Sequence, residues 1–222
     1  MAAVPGIAVM GTILFGVHED SRPDLGVTSP ADRGHPEKLS PGFVRLLAAV
    51  VLFALGNSAD AFLLLRLSQA GVSVSWVALL WSAHHVVKML ATYALGRLSD
   101  RRGRRPLVLA GWIFYAAVYA GFAFSSQPAA LIALFLAYGL YFGLTEPVER
   151  AWAADLSSQG MRGRSYGLYH GAVGMAALPA SLLFGLLWTA FGAPAAFLTG
   201  AALALAAALV LLGVPEAKRA SA

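Results

Sequence analysis

The apolar residues of this chain fall into six long blocks, which short stretches rich in Gly, Pro and charged residues separate. Each block is close to the roughly 20 residues that cross a bilayer as a helix. No Asp, Glu, Lys or Arg occurs from Leu107 to Thr145 or from Ser165 to Pro215, and a soluble fold has nowhere to bury such runs. The pattern therefore predicts six membrane spans, namely Phe43–Leu65, Trp76–Leu95, Leu107–Phe124, Ala129–Val148, Tyr166–Trp188 and Ala195–Val214.

The length of the blocks also selects helices over strands. Lipid offers no hydrogen bonds to a backbone, so only helices or closed barrels can cross it. Barrel strands would be about ten residues long with strict alternation, which these blocks lack. The predicted fold is an all-α integral membrane protein. Gly139 and Gly143, like Gly167 and Gly171, offer small faces for helix contact, and Pro179 predicts a kink in the fifth span.

The two ends of the chain differ from this six-span domain, which we place at residues 41–215. Met1–Val17 is apolar but extends only about 25 Å as a helix, too little to span comfortably. A signal peptide is the competing interpretation, but no basic residue precedes the apolar stretch. Residues 18–40 are charged and contain Pro, as in a flexible linker, and residues 216–222 form a short tail.

The positive charges indicate which side of the membrane the connections occupy. All of the 16 Lys and Arg residues except Arg66 and Lys88 lie at the two ends or in alternate connections. By the positive-inside rule these regions are cytoplasmic, so we expect a multi-pass protein of the cytoplasmic membrane with both ends of the domain inside the cell.

Composition narrows the function classes further. The chain is 59% hydrophobic and 12% charged and contains no Cys, which excludes a disulfide scaffold. Its formal charge of +5 could suggest nucleic acid as a partner. The cations, however, sit only between apolar blocks, so we expect lipid and not nucleic acid as the partner.

One connection carries a recognisable motif, which reads Gly96-Arg97-Leu98-Ser99-Asp100-Arg101-Arg102-Gly103-Arg104-Arg105-Pro106. Gly103 can take positive φ to reverse the chain, and Pro106 suits the first turn of a helix. Asp100 is the one acid among five arginines, which favours a specific acceptor role. The motif resembles the signature loop of the major facilitator superfamily at Gly96, Asp100, Arg101, Gly103, Arg104 and Arg105.

Over about residues 41–215, the chain resembles the carboxy-terminal half of bacterial members of this superfamily. The resemblance implies six helices arranged as a 3+3 inverted repeat, with the first 40 residues corresponding to the end of a preceding helix and a central linker. It also implies secondary transport of a small solute by alternating access. Because members normally have twelve helices, it implies that this chain needs a second six-helix half.

A few charged residues fall inside the predicted spans, where each costs at least about 2.5 kcal/mol without a partner or water. Trp81, His84, His85 and Lys88 share one helical stripe, and Asp60 lies at a depth from which it can reach the histidines. We expect these five residues to line a polar cavity, with a histidine as a candidate carrier of a coupling proton. A buried network that only holds two helices together is the alternative.

A second group of charges lies at the cytoplasmic end of the fourth span. Glu146 and Arg150 are four residues apart on one face, and Glu149 is close by. The resemblance implies that Glu146, Glu149 and Arg150 form a gate network with Arg101 or Arg104. An ion network that only anchors helix ends is the alternative.

Two other classes compete with transport. Gly56-Asn57-Ser58-Ala59-Asp60 near His84 could suggest an intramembrane serine hydrolase, but the pattern lacks the last Gly of a nucleophile elbow and lies in what reads as a continuous helix. A non-transporting membrane subunit or fragment would fit the half-length pattern. Neighbouring histidines point about 100° apart and no Cys completes a site, so we expect no metal site. We also expect no cofactor and no enzyme activity.

Overall fold

A computed structural model describes residues 39–216, apart from the side chains at positions 96, 97, 99–101 and 159. The expected partial helix at 1–17, nearly all of the linker at 18–40 and nearly all of the tail at 216–222 lie outside the described residues.

Within residues 39–216, seven α-helices make up six membrane-length spans, and the fold class predicted from sequence is confirmed. The first span consists of two helices, and each later span is a single helix. The helices are α1 Pro41–Gly56, α2 Ala61–Gln69, α3 Val74–Arg102, α4 Arg104–Phe124, α5 Pro128–Asp155, α6 Arg162–Phe191 and α7 Ala193–Leu212, with a 3-10 turn at Gln159–Met161 before α6.

The helix ends follow from local chemistry. Ser40 caps α1, because its hydroxyl accepts a hydrogen bond from the amide of Phe43. Gly103 alone separates α3 from α4, with φ at 93°, a conformation that glycine adopts without strain. The expected reversal at Gly103 is thus present, but α3 continues to Arg102, so most of the signature motif is helical.

The first span departs from the sequence prediction, because it is broken at residues 57–60. The segment contains Asn57, Ser58 and Asp60, whose side chains compete with the backbone for hydrogen bonds and so weaken a helix. The prediction that Ser58 lies in a continuous helix is therefore wrong.

The fourth and fifth spans are longer than predicted. α5 passes through Pro147 and ends at Asp155, and α6 includes Pro179 within its 30 residues. The extra turns carry Glu149, Arg150 and Asp155 as helical residues at one end of the bundle.

The helices pack in a pattern that repeats between the two halves of the domain. α3 packs along α5 as α6 packs along α1, and α4 packs on α5 as α7 packs on α1. α4 and α7 pack on each other. Such related pairs are what an arrangement of three plus three helices with inverted topology produces.

Glycines bring two of these helix pairs into backbone contact. A Cβ built on Gly143 of α5 would lie 2.7 Å from the carbonyl oxygen of Ala91 in α3, and one on Gly139 would lie 3.2 Å from that of His84. Gly56 of α1 and Gly200 of α7 approach each other equally closely. Small residues at these points allow the close packing that stabilises helices in lipid.

Candidate functional site

The break in the first span is held by tyrosines from two other helices. Tyr115 of α4 donates a hydrogen bond of 3.0 Å to the carbonyl of Gly56, which the interruption leaves without a helical partner. Tyr138 of α5 donates one of 3.0 Å to Oδ1 of Asp60. The side-chain oxygen of Asn57 lies 3.4 Å from the Tyr115 hydroxyl. These contacts therefore stabilise the broken segment, which places polar groups at membrane depth.

The two neighbouring histidines occupy different environments. His84 is 1% exposed and packs between the rings of Phe135 and Tyr138, with Nδ1 3.1 Å from the carbonyl oxygen of Phe135. His85 is exposed, and its Nδ1 lies 2.9 Å from the carbonyl oxygen of Trp81 on its own helix. The structure thus places one histidine inside the bundle and the other on its surface.

Tyr138 connects Asp60 to the histidine stripe. Its hydroxyl binds the Asp60 carboxylate, and its ring centroid lies 5.4 Å from that of His84. The ring of Trp81 in turn lies 6.1 Å from the His84 ring. Asp60 is thus joined to His84 through Tyr138, with Trp81 next to His84, whereas His85 lies on the surface of the bundle.

Lys88 links the predicted cavity to the predicted gate. Its ammonium nitrogen lies 3.2 Å from Oε2 of Glu146 and 3.8 Å from the ring centroid of Phe142. Oε1 of the same glutamate lies 3.1 Å from a guanidinium nitrogen of Arg150. Glu146 therefore bridges two cations, and the ring of Phe142, which contacts both the His84 ring and the Lys88 ammonium, connects the two residue groups.

Glu149 lies in a buried site. It is 6% exposed and accepts hydrogen bonds of 2.8 Å from the indole N–H of Trp112 and 2.7 Å from the hydroxyl of Tyr169. These donors come from α4 and α6, so one carboxylate ties three helices together. The structure separates Glu149 in this way from the Glu146–Arg150 pair beside it.

The signature motif contributes a different acid–base pair from the one expected. Nε of Arg104 lies 3.1 Å from Oδ2 of Asp155 at the end of α5. Arg105 donates a hydrogen bond to the carbonyl of Val214. The side chains of Asp100 and Arg101 are outside the described part of the chain, and so is any contact of Gly96. The motif thus fastens the start of α4 to the ends of α5 and α7.

Sequence reasoning missed several residues of the site. Tyr115 and Tyr119 lie four residues apart in α4, and Tyr138 and Tyr141 lie three apart in α5, so helical spacing of hydroxyl-bearing rings was a signal in apolar spans. Nothing in the sequence marks Trp112 and Tyr169 as partners of Glu149.

Ser58, the nucleophile of the hydrolase hypothesis, has a tyrosine as its neighbour. It is 5% exposed, and its hydroxyl lies 3.4 Å from that of Tyr119. A neutral tyrosine hydroxyl is a poor base. Nδ1 of His84 is directed at the carbonyl of Phe135 and not at Ser58.

Comparison with known proteins assigns most of this chain to one protein family. A family model described as Major Facilitator Superfamily matches residues 42–222. An uncharacterized MFS-type transporter of Methanocaldococcus jannaschii, MJ1317, is 39% identical over 124 residues, which are 55% of this chain and 31% of the relative. Another, YqjV of Bacillus subtilis, is 29% identical over 103 residues, which are 46% of this chain and 25% of the relative.

Two solved structures share the fold. The POT family transporter PepTSo superimposes with a TM-score of 0.65 at 15% identity, over 79% of this chain and 37% of that one. An auto inhibited POT family peptide transporter gives 0.58 at 16% identity, over 77% and 36%. The matches span about a third of each of these proteins. With a family match over nearly the whole described domain, this chain belongs to the Major Facilitator Superfamily.

Proposed function

We propose that this chain forms one six-helix half of a secondary active transporter, which moves a small solute across the cell membrane by alternating access. The observation that carries the proposal is the line of polar groups from Asp60, at the break in the first span, through His84 and Lys88 of α3 to Arg150 of α5. Charged groups are costly inside lipid and mark solute or ion pathways in membrane proteins. Membership of a transporter superfamily supports the same function.

The need for a second half is supported by the faces of α3 and α6. In the apolar 18-residue stretch of each of these helices, only 17% of the residues are buried within the chain, compared with 56% in the corresponding stretch of α4. Gly163, Gly167, Gly171 and Gly174 of α6 have no atom within 4 Å of a built Cβ, unlike the packed glycines of α5. Small residues of this kind suit contact with a further helix. The second half could lie on the same polypeptide or on another.

The charge pairs at the arginine-rich end support a cytoplasmic gate. Glu146 holds Lys88 and Arg150 together, and Arg104 pairs with Asp155. All of these groups are partly exposed, so their pairs can exchange partners when a second half closes over them. In this proposal Glu146 stabilises the inward-closed state, while Glu149 holds α4, α5 and α6 in register.

Labelling of single cysteines tests the alternating-access proposal, because the sequence contains no Cys. Ala59→Cys reports the broken segment, and Thr92→Cys reports the face one helical turn beyond Lys88. In cell membranes, Glu146→Gln should raise maleimide labelling of Thr92→Cys several-fold and lower that of Ala59→Cys. Glu216→Gln, at the exposed end of the described chain, is the control and should change neither rate. If both reporters change in the same direction, the gate assignment is wrong.

Coupling to protons is a separate part of the proposal. Histidine is the side chain whose unperturbed pKa lies closest to neutral pH; His84 belongs to the polar line, and His85 lies beside it on the surface of the bundle. In a reconstituted twelve-helix assembly, we expect proton-driven uptake to be lost in His84→Ala or His85→Ala. Uptake that survives both substitutions would remove the histidines from coupling.

A further inference from the structure

The chain leaves α7 as a short segment, residues 213–215, which we call the exit strap. Pro215 keeps the helix from continuing, because proline has no amide for the hydrogen-bond ladder. The strap is nevertheless packed. Val214 is fully buried, and a Cβ built on Gly42 of α1 would lie 2.8 Å from the ring of Pro215. The exit strap is therefore part of the helix bundle.

Three helices hold the exit strap through its backbone. The carbonyls of residues 213, 214 and 215 each accept one hydrogen bond, from Arg45 of α1, Arg105 of α4 and Trp152 of α5 in that order. The distance is 3.4 Å for Arg45 and 3.2 Å for Trp152. Carbonyls at a helix end have no donor within the helix, so these side chains supply the missing partners. The strap thus connects α7 to the arginine-rich ends of three other helices.

The corresponding exit from α4 is attached less firmly. α4 and α7 occupy equivalent places in the two halves of the domain. Among the described residues, the exit from α4 receives a single side-chain hydrogen bond, from Arg66 to the carbonyl of Ser125. Attachment at three points is therefore particular to the exit strap, at the end of the bundle that carries the proposed gate.

Trp152 connects the exit strap to this gate. It is fully buried and follows Glu146 on α5 by six residues, which is about 9 Å along the helix. A displacement of this end of α5 would break the bond from Trp152 to the strap and would also move Glu146 away from Lys88. The attached strap and the closed charge pair therefore belong to the same state of the bundle.

The bonds to the exit strap are of a kind that can be released. Each acceptor is an uncharged carbonyl, and such hydrogen bonds are weaker than those between two ions. Nε of Arg105 is buried without a hydrogen-bond partner, and no carboxylate of the described residues lies within 4 Å of this guanidinium. Incomplete pairing of a buried guanidinium favours a reversible attachment over a permanent one.

We infer that the exit strap is a latch, which holds the end of α5 in the inward-closed state and releases Trp152 when the gate opens. This inference rests on the proposed function, because the gate at Glu146 belongs to that proposal. Strap release and gate opening are then coupled, so each favours the other by the same factor.

A buried cysteine measures the release of the strap. Val214→Cys introduces the only thiol of the chain at a fully buried position, which a maleimide reaches only after release. In cell membranes, Trp152→Phe keeps an aromatic ring but removes the N–H donor, and it should raise the labelling rate of Val214→Cys at least about fivefold. Trp188→Phe is the matched control and should leave this rate unchanged, because Trp188 of α6 has ring contacts and no hydrogen bond among the described residues.

Reciprocal labelling distinguishes a latch from a purely structural attachment. Glu146→Gln should raise the labelling of Val214→Cys several-fold. Trp152→Phe should in turn raise that of Thr92→Cys and lower that of Ala59→Cys, whereas general loosening of the bundle would raise both. Arg45→Gln, at an exposed side chain, replaces Trp152→Phe as the release variant if that protein fails to fold.

Two results would overturn the latch. One is an unchanged labelling rate of Val214→Cys in Trp152→Phe and Arg45→Gln. The other is faster labelling of Val214→Cys in these variants while the rate of Thr92→Cys stays the same. Neither result affects the comparison of Thr92→Cys with Ala59→Cys in Glu146→Gln, so the latch and the transport function can fail separately.

Discussion

At the scale of single residues, burial decides what each glutamate of α5 does. Glu146 keeps 40% of its side chain exposed and balances two cations, whereas Glu149 is buried and satisfied by two neutral donors. Three positions apart on a helix, the two glutamates point in different directions. The family resemblance implies one charge network for both, whereas the structure divides them between a partly exposed ion-pair group and a buried contact between helices.

This division predicts different costs for removing each acid. Glu149→Leu leaves the Trp112 N–H and the Tyr169 hydroxyl without an acceptor in a buried site, at about 1–3 kcal/mol for each unpaired group. Glu146→Leu removes partly exposed ion pairs, which contribute roughly 1 kcal/mol or less. Thermal unfolding in detergent, followed by circular dichroism, should show a clearly lower midpoint for Glu149→Leu. Equal midpoints for the two variants would contradict this division.

At the scale of elements, glycine marks both closed and open helix faces. Gly143 packs its α-carbon against the backbone of Ala91, so α3 and α5 touch directly. Gly171 has no atom within 4 Å of a built Cβ. The same residue type therefore serves contact within this chain on α5 and, in our proposal, contact with a second half on α6.

Substitution at these glycines separates the two roles. Gly143→Leu must push α3 away from α5, because a built Cβ is already 2.5 Å from a backbone carbon of Ala91. We expect this overpacking to reduce the free energy of unfolding by about 1–3 kcal/mol or more, which lowers the unfolding midpoint or prevents folding. Gly171→Leu should leave the midpoint unchanged or slightly raised, because it replaces glycine in a helix. A large loss of stability in Gly171→Leu would show that the α6 face is already occupied.

The broken first span is another feature of element scale. Apolar residues flank Asn57–Asp60 on both sides, and the whole stretch has the hydropathy of a single span. The interruption persists because Tyr115 and Tyr138, on two other helices, satisfy the polar groups that it releases. Hydropathy locates a membrane span, whereas the continuity of the helix depends on partners from elsewhere in the chain.

At the scale of the whole molecule, the distribution of positive charge predicts orientation. Ser73 lies between α2 and α3, and Ser158 lies between α5 and α6. In intact cells, Ser73→Cys should react with an impermeant maleimide, while Ser158→Cys should react only after permeabilisation. Both positions are exposed, so access to the reagent depends on the side of the membrane. Labelling of both positions, or of Ser158→Cys alone, in intact cells would reverse or refute the predicted topology.

The sequence alone determined that lipid surrounds the spans, how many spans there are and which family the chain belongs to. These properties depend on quantities summed along the chain, namely the apolar length that fills a bilayer, the placement of arginines and the local signature motif. Only the tertiary structure decided that Lys88 meets Glu146, that His84 is buried while His85 is exposed, and that Asp60 lies beside Tyr138. Such pairings depend on helix rotation and interhelical distance. An apolar helix specifies these weakly, because lipid and a neighbouring helix solvate its side chains almost equally well.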